Sequence, residues 1–196
     1  ATRVFIARLS GIGVFDPNGD SLGRVRDAVT TLRIDRQSPR VLGLVVELQH
    51  RHRIFVPMGR VTRIEADAVV LSSGTINMKR FERRVNEVLV LGELLDRTVT
   101  AGENNTQAHI VDVGMEQNRS RDWVITRLAL RTSGSRIGRR GQLFQAAWNE
   151  VEGLGITEAQ QGTDTLLSML SDLRAPDVSN ALRDMPDKRR LEVADA

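Results

Sequence analysis

The sequence predicts a mainly β chain with an α-helical C-terminal segment, organised as two small antiparallel β-barrels followed by helices. Three observations lead there. Through residue 152 the 196-residue chain runs in short apolar stretches rich in Val, Ile and Leu, punctuated by tight turns. The pattern of the first half returns displaced by 85 positions. Beyond Glu152 the apolar spacing becomes helical.

Residues 3–9 have a strand-like composition and lead into the turn-rich Ser10-Gly11-Ile12-Gly13. Val14 and Phe15 open a strand. Asp16-Pro17-Asn18-Gly19-Asp20 then forms a turn, Pro presetting φ and Asn and Gly tolerating positive φ. Residues 22–34 read as a second strand, broken by Gln37-Ser38-Pro39. The nearly continuous apolar run at 41–48 is short enough for a buried strand. A charged hairpin tip at 49–53 joins it to Ile54-Phe55-Val56-Pro57, and residues 61–64 and 68–71 complete the unit.

Residues 72–89 are polar, with a basic cluster at Lys79, Arg80, Arg83 and Arg84. The repeat follows: Phe5 falls on Val90, Leu9 on Leu94, Val14 on Val99, and Val25-Arg26-Asp27 on Ile110-Val111-Asp112. Residues 123–130 replay the apolar strand. Pro57-Met58-Gly59-Arg60-Val61 falls on Ala147-Trp148-Asn149-Glu150-Val151, displaced by 90 because the second hairpin is longer. The expected divisions are a barrel at 1–76, a basic linker at 77–89, a second barrel at 90–152 and a helical segment at 153–196. In the last, Leu166, Leu167, Leu170 and Leu173 make a helical stripe. Ala175-Pro176-Asp177 stops that helix and starts the next, whose apolar face is Val178, Ala181, Leu182 and Met185. A third short helix begins at Lys188.

Composition narrows the function. Apolar residues make up 40% of the chain but aromatics only 4%, with no Tyr, so the cores are aliphatic and a base-stacking surface is disfavoured. Cysteine is absent, which removes disulfides and thiolate metal sites and fits a reducing compartment. The N-terminus lacks the apolar core of a signal peptide and no run approaches the length of a membrane span, so a soluble cytoplasmic protein is expected. Charge is uneven: residues 1–150 carry 23 basic and 16 acidic residues, residues 151–196 carry 5 and 9. That split is the mark of modules with different surfaces.

The pattern Val14-x-Asp16-x-x-Gly19-x-x-Leu22-Gly23-x-Val25-x-Asp27, with Val41-x-Gly43-Leu44-Val45-Val46 and Phe55-Val56-Pro57, resembles the PRC-barrel domain, the small β-barrel of the photosynthetic reaction-centre H subunit and the ribosome maturation factor RimM. The second copy lacks the Asp-Pro-x-Gly turn and the Leu-Gly pair but places Trp148 where the family often has Trp. The run from Leu166 to Pro186 is similar to the start of the MgtE-type intracellular N-terminal domain. The resemblance implies two PRC-like barrels, the first helices of an α-superhelix, and a chain that is a fragment of a longer CBS-containing protein. It also implies a part in magnesium homeostasis, with CBS-like domains or a membrane transporter as partner, Mg2+ as cofactor, and a location at the inner face of the membrane through that partner.

No catalytic constellation stands out. Gly138-Arg139-Arg140-Gly141 matches the KH-type Gly-x-x-Gly loop, but it follows a strand and reads as a hairpin tip. His50 and His52 share a strand face, yet neighbouring arginines repel a cation. Asp16, Asp20, Asp27 and Asp112 lack EF-hand spacing and read as structural, with Asp16 serving its turn. Asp172, Asp177, Asp184 and Asp187 are the candidate magnesium ligands, although helix capping explains them equally well. Arg51, Arg53, Arg136, Arg139 and Arg140 are the candidate contacts to a partner or to nucleic acid. Leu166, Leu170, Leu173, Val178, Leu182 and Met185 form the expected helical partner face. The sequence is thus read as a non-catalytic regulatory or scaffold protein acting through protein contacts. The alternative is an RNA- or ribosome-binding adaptor using the arginine-rich hairpins.

Overall fold

The computed structural model describes residues 3–32, 37–102, 105–133 and 141–154. The first half comprises β1 (Val4–Phe5), β2 (Gly13–Phe15), β3 (Ser21–Thr31), β4 (Val41–Glu47), β5 (Arg53–Pro57), β6 (Val61–Ile64) and β7 (Ala68–Leu71). The second comprises β8 (Glu87–Leu89), β9 (Thr98–Ala101), β10 (Thr106–Gln117), β11 (Trp123–Thr132), β12 (Leu143–Ala147) and β13 (Val151–Glu152). Two sheets result, ordered β5-β4-β3-β2-β7-β6 and β12-β11-β10-β9-β13. They share the same hairpin order, and a 3-10 turn follows β5 (Met58–Arg60) and β12 (Trp148–Glu150) alike, burying Met58 and Trp148. They differ at one edge: β7 lies between β2, to which it runs parallel, and β6, to which it runs antiparallel, whereas β13 pairs directly with β9.

Each sheet takes its remaining strand from the other half of the chain. β1 pairs antiparallel with β10, Val4 opposite Met115, and β8 pairs antiparallel with β3, Leu89 opposite Val29. The halves also touch where β4 and β11 begin. Arg40 bridges Val124, the Ile125 N–H donates to the Pro39 carbonyl (2.8 Å), and Arg40 pairs with Asp122 (2.6 Å). The ladders equate Val45, opposite Asp27, with Ala129, opposite Asp112. The same step makes Val124 the counterpart of Arg40. A residue meets its own counterpart only on a two-fold axis, so the units relate as the subunits of an isologous dimer do.

Sequence chemistry explains the crossing. Residues 3–9 are not one strand: after Phe5 the chain coils into a 3-10 turn over Ile6–Leu9. Positions i and i+3 eclipse in that geometry, so Ile6 and Leu9 enter the core together, at 0% and 1% exposure. The same buried cluster takes in Val14, Val25 and Leu44 from one half and Val99, Ile110 and Leu128 from the other.

This arrangement corrects the expected fold class. The described residues form two β-sheets joined by exchanged strands, not two self-contained barrels with an α-helical segment. A barrel closes on its own first strand, and here that strand serves the other unit. Among the described residues the helical pieces are single turns only. The helices expected within 153–196 lie, from residue 155 on, outside the described residues.

Candidate functional site

The chain between β7 and β8 carries the basic cluster of the sequence, and it lies along the outer edge of β5 as a strap. The Phe81 N–H donates to the Arg53 carbonyl (2.8 Å) and Arg80 bridges Ile54 in antiparallel sense. His52 Nε2 donates to the Met78 carbonyl (2.7 Å), which fixes the proton on that nitrogen, because a carbonyl can only accept. Further along, the Arg84 N–H donates to Glu87 (2.9 Å), and Arg83 pairs with Glu93, whose other oxygen accepts the Leu89 N–H (2.7 Å).

Beneath the strap is a groove of about 530 Å³. Its apolar floor is Phe55 on β5 against Phe81 of the strap, stacked with centroids 6.3 Å apart and planes at 22°. Gly43, opposite Pro57 on β4, makes room for this: a Cβ there would lie 2.5 Å from the Phe55 ring. Around the rings stand the exposed cations Arg60, Lys79, Arg80 and Arg84, none of which forms an ion pair among the described residues. Glu82 and Glu87 also line the groove, Glu87 engaged by backbone. Arginine beside aromatic rings, with carboxylates outnumbered, suits an anionic ligand that also presents an apolar group.

The sequence-derived candidates are placed differently. Arg51 is exposed on the Gln49–Arg51 turn, where it and His50 both have φ of 58°. Arg53 is held by Glu47 (3.1 Å), which also binds Arg26 (2.5 Å). These two arginines hold the Glu47 carboxyl below its usual pKa. The first hairpin tip is therefore partly neutralised. Arg136, Arg139 and Arg140, the tail aspartates 172, 177, 184 and 187, and the apolar face at 166, 170, 173, 178, 182 and 185 lie outside the described residues. The strand at 54–57 and the cluster at 79–84 are each legible in the sequence, but their meeting is not. The signal was a single Phe81 inside Lys-Arg-Phe-Glu-Arg-Arg.

The aspartates have structural work. Asp16 Oδ1 accepts from the Asn18 and Asp20 N–H groups (2.8 and 2.9 Å) and closes its turn. Asp27 accepts from Leu91 and Ala28 (2.7 Å each) and Gly92 (2.9 Å); burial pushes its carboxyl above the usual pKa against the pull of these amides, and Glu93 adds to the rise. Asp112 accepts from Ala7 (2.9 Å) and Val113 (2.7 Å). Among the described residues no group of three or more His, Cys, Asp or Glu is arranged to hold a metal ion, and no helix is long and apolar enough to cross a membrane.

Comparison with known families matches residues 88–157 to the actinomycetes SH3 domain. The match begins within β8 and runs past β13, so it covers the second unit. No curated protein matches the chain. The match overturns the resemblance to PRC-barrel and MgtE-type domains, and the magnesium-homeostasis reading falls with it. The misleading residues were turn glycines, aspartates and alternating valines, which small β units of many families need for the same geometric reasons. SH3 domains mediate protein–protein interactions, and the second unit is SH3-like.

Proposed function

We propose that this chain is a non-catalytic interaction protein that holds an acidic segment of a protein partner in the groove beneath the strap. The observation that carries the reading is the set of four unpaired cations around the Phe55–Phe81 stack. Such a rim attracts carboxylates, while the apolar floor rewards one buried side chain from the partner. The likeness of residues 88–157 to SH3 domains supports a role in protein contacts. In this reading the chain needs no cofactor, and its cysteine-free composition favours the cytoplasm as its location.

The test is fluorescence anisotropy with a labelled peptide of Asp and Glu around a central Leu. Binding should weaken with added salt and by roughly two- to fivefold for each of Arg80→Ala and Arg84→Ala. Affinity indifferent to both changes contradicts the proposal. So does tighter, equally salt-sensitive binding of a single-stranded RNA oligonucleotide, which would favour the adaptor alternative.

A further inference from the structure

The two units differ in how they finish one edge. In the first, β5 is covered by the strap. Its outward-facing positions are Arg53, whose carbonyl accepts the Phe81 N–H, Phe55, and Pro57, which has no N–H to offer. At the equivalent edge of the second unit, β12 has Leu143, Gln145 and Ala147 in those places. No described segment pairs with the outer side of β12. The Thr132 N–H donates to the Gln142 carbonyl (3.0 Å), which fixes the alternation: 142, 144 and 146 bond inward to β11, and 143, 145 and 147 point their main-chain groups outward. The Ala147 N–H is taken by the Glu150 carboxylate (2.9 Å). Among the described residues the N–H and C=O groups of Leu143 and Gln145 remain without a partner.

Edge strands are normally guarded by charge, proline or a covering segment. β5 has all three, whereas β12, reading Leu-Phe-Gln-Ala-Ala, carries no charge and no proline, and Leu143 is 58% exposed. One antiparallel register satisfies all four free main-chain groups. With a second copy of β12 as the partner it is centred on Phe144, sets Leu143 of one chain opposite Gln145 of the other and brings no charge to the seam. It also brings Phe144 beside Phe144 of the second chain, a favourable cross-strand pair. Arg131 on β11 would then line up with Ala129 of the second chain. Its own copy would lie farther off along a diagonal, more than the three strand spacings of about 14 Å and beyond the screening length at physiological salt.

We infer that β12 is the interface for a second copy of this chain, joined edge to edge about a two-fold axis through Phe144. This is independent of the strap groove. Sedimentation equilibrium on the full chain tests it. The average mass should rise with concentration toward twice the 21.8 kDa of one chain. Leu143→Arg, which installs the residue found at the guarded edge, should hold the mass at that of one chain. Met78→Lys removes another exposed apolar side chain, 57% exposed, and should leave the association unchanged. A wild-type mass independent of concentration, or equal loss in both variants, overturns the inference. Amide exchange gives a second readout. Protection of the Leu143 and Gln145 N–H groups should grow with protein concentration. Protection at every concentration means that a segment of the same chain covers the edge, and that also overturns it.

Discussion

Asp27 and Asp112, 85 positions apart, each fasten the opposite unit's first turn. Asp27 accepts the N–H groups of Leu91 and Gly92, and Asp112 accepts that of Ala7, the counterpart of Gly92. A register shift in the ladder just before each aspartate, at Arg26 and at Val111, marks a bulge. Bulges bend a strand and re-aim the next side chain, which here turns each carboxylate toward the turn arriving from the other half. At Asp27 the donors reach both oxygens, so asparagine keeps the Oδ1 bonds but turns its amide toward the Gly92 N–H. At Asp112 both bonds go to Oδ1, which asparagine retains. Asp27→Asn should cost about 1–3 kcal/mol, and Asp112→Asn less, because Asp27 serves three amides and Asp112 two. Urea denaturation of the two variants checks the order.

The Asp27 carboxyl also gives a pH signature. Burial raises its folded-state pKa above the usual 3.8. The folded state therefore binds the proton more tightly than the unfolded one, and this contribution is full below the unfolded pKa and lost as pH rises through the folded one. The stability of the wild type relative to Asp27→Asn should fall over that window, and urea midpoints of both proteins across acidic pH measure it. Glu47 has the opposite sign: its pKa is lowered by Arg26 and Arg53, so its contribution is lost as pH falls through the folded value.

Gly43 is required by the Phe55 ring and the Val56 carbonyl, each 2.5 Å from where a Cβ would stand. Gly43→Ala should destabilise the protein by about 1–3 kcal/mol and tilt Phe55 off Phe81. The second unit has Arg127 at the equivalent place, and no described segment covers its β12. A thermal melt gives the cost, and the chemical shifts of Phe81 report the lost stacking.

The strap should loosen when its ring is removed. Phe81→Ala forfeits the stack, worth about 0.5–1.5 kcal/mol beyond buried area, while the Phe81 N–H bond to Arg53 depends only on the backbone. Faster amide exchange at 79–84, with β3 and β4 unchanged, is the expected result.

Local sequence chemistry carried the positions of many strands. The turn at Asp16 to Asp20 and the apolar run at 41–47 announce themselves because turn geometry and burial act on adjacent residues. The exchange of β1 and β8 is not written locally. Val4-Phe5 satisfies either sheet edge, and the choice is made by Asp112, more than a hundred residues away. The strap groove is hidden for the same reason: Phe55 and Phe81 meet only through folding, and a cluster such as Lys79 to Arg84 reads alone as a solvated connection.

The exchanged architecture itself is tested by cutting the connection. A protease site at Met78, exposed within the strap, allows the folded chain to be cleaved between its halves. The two pieces should co-migrate as one particle in sedimentation and separate only when urea unfolds them, because β1, β8, Asp27 and Asp112 hold them without a covalent link. Pieces that part under native conditions, each still folded, would contradict the account.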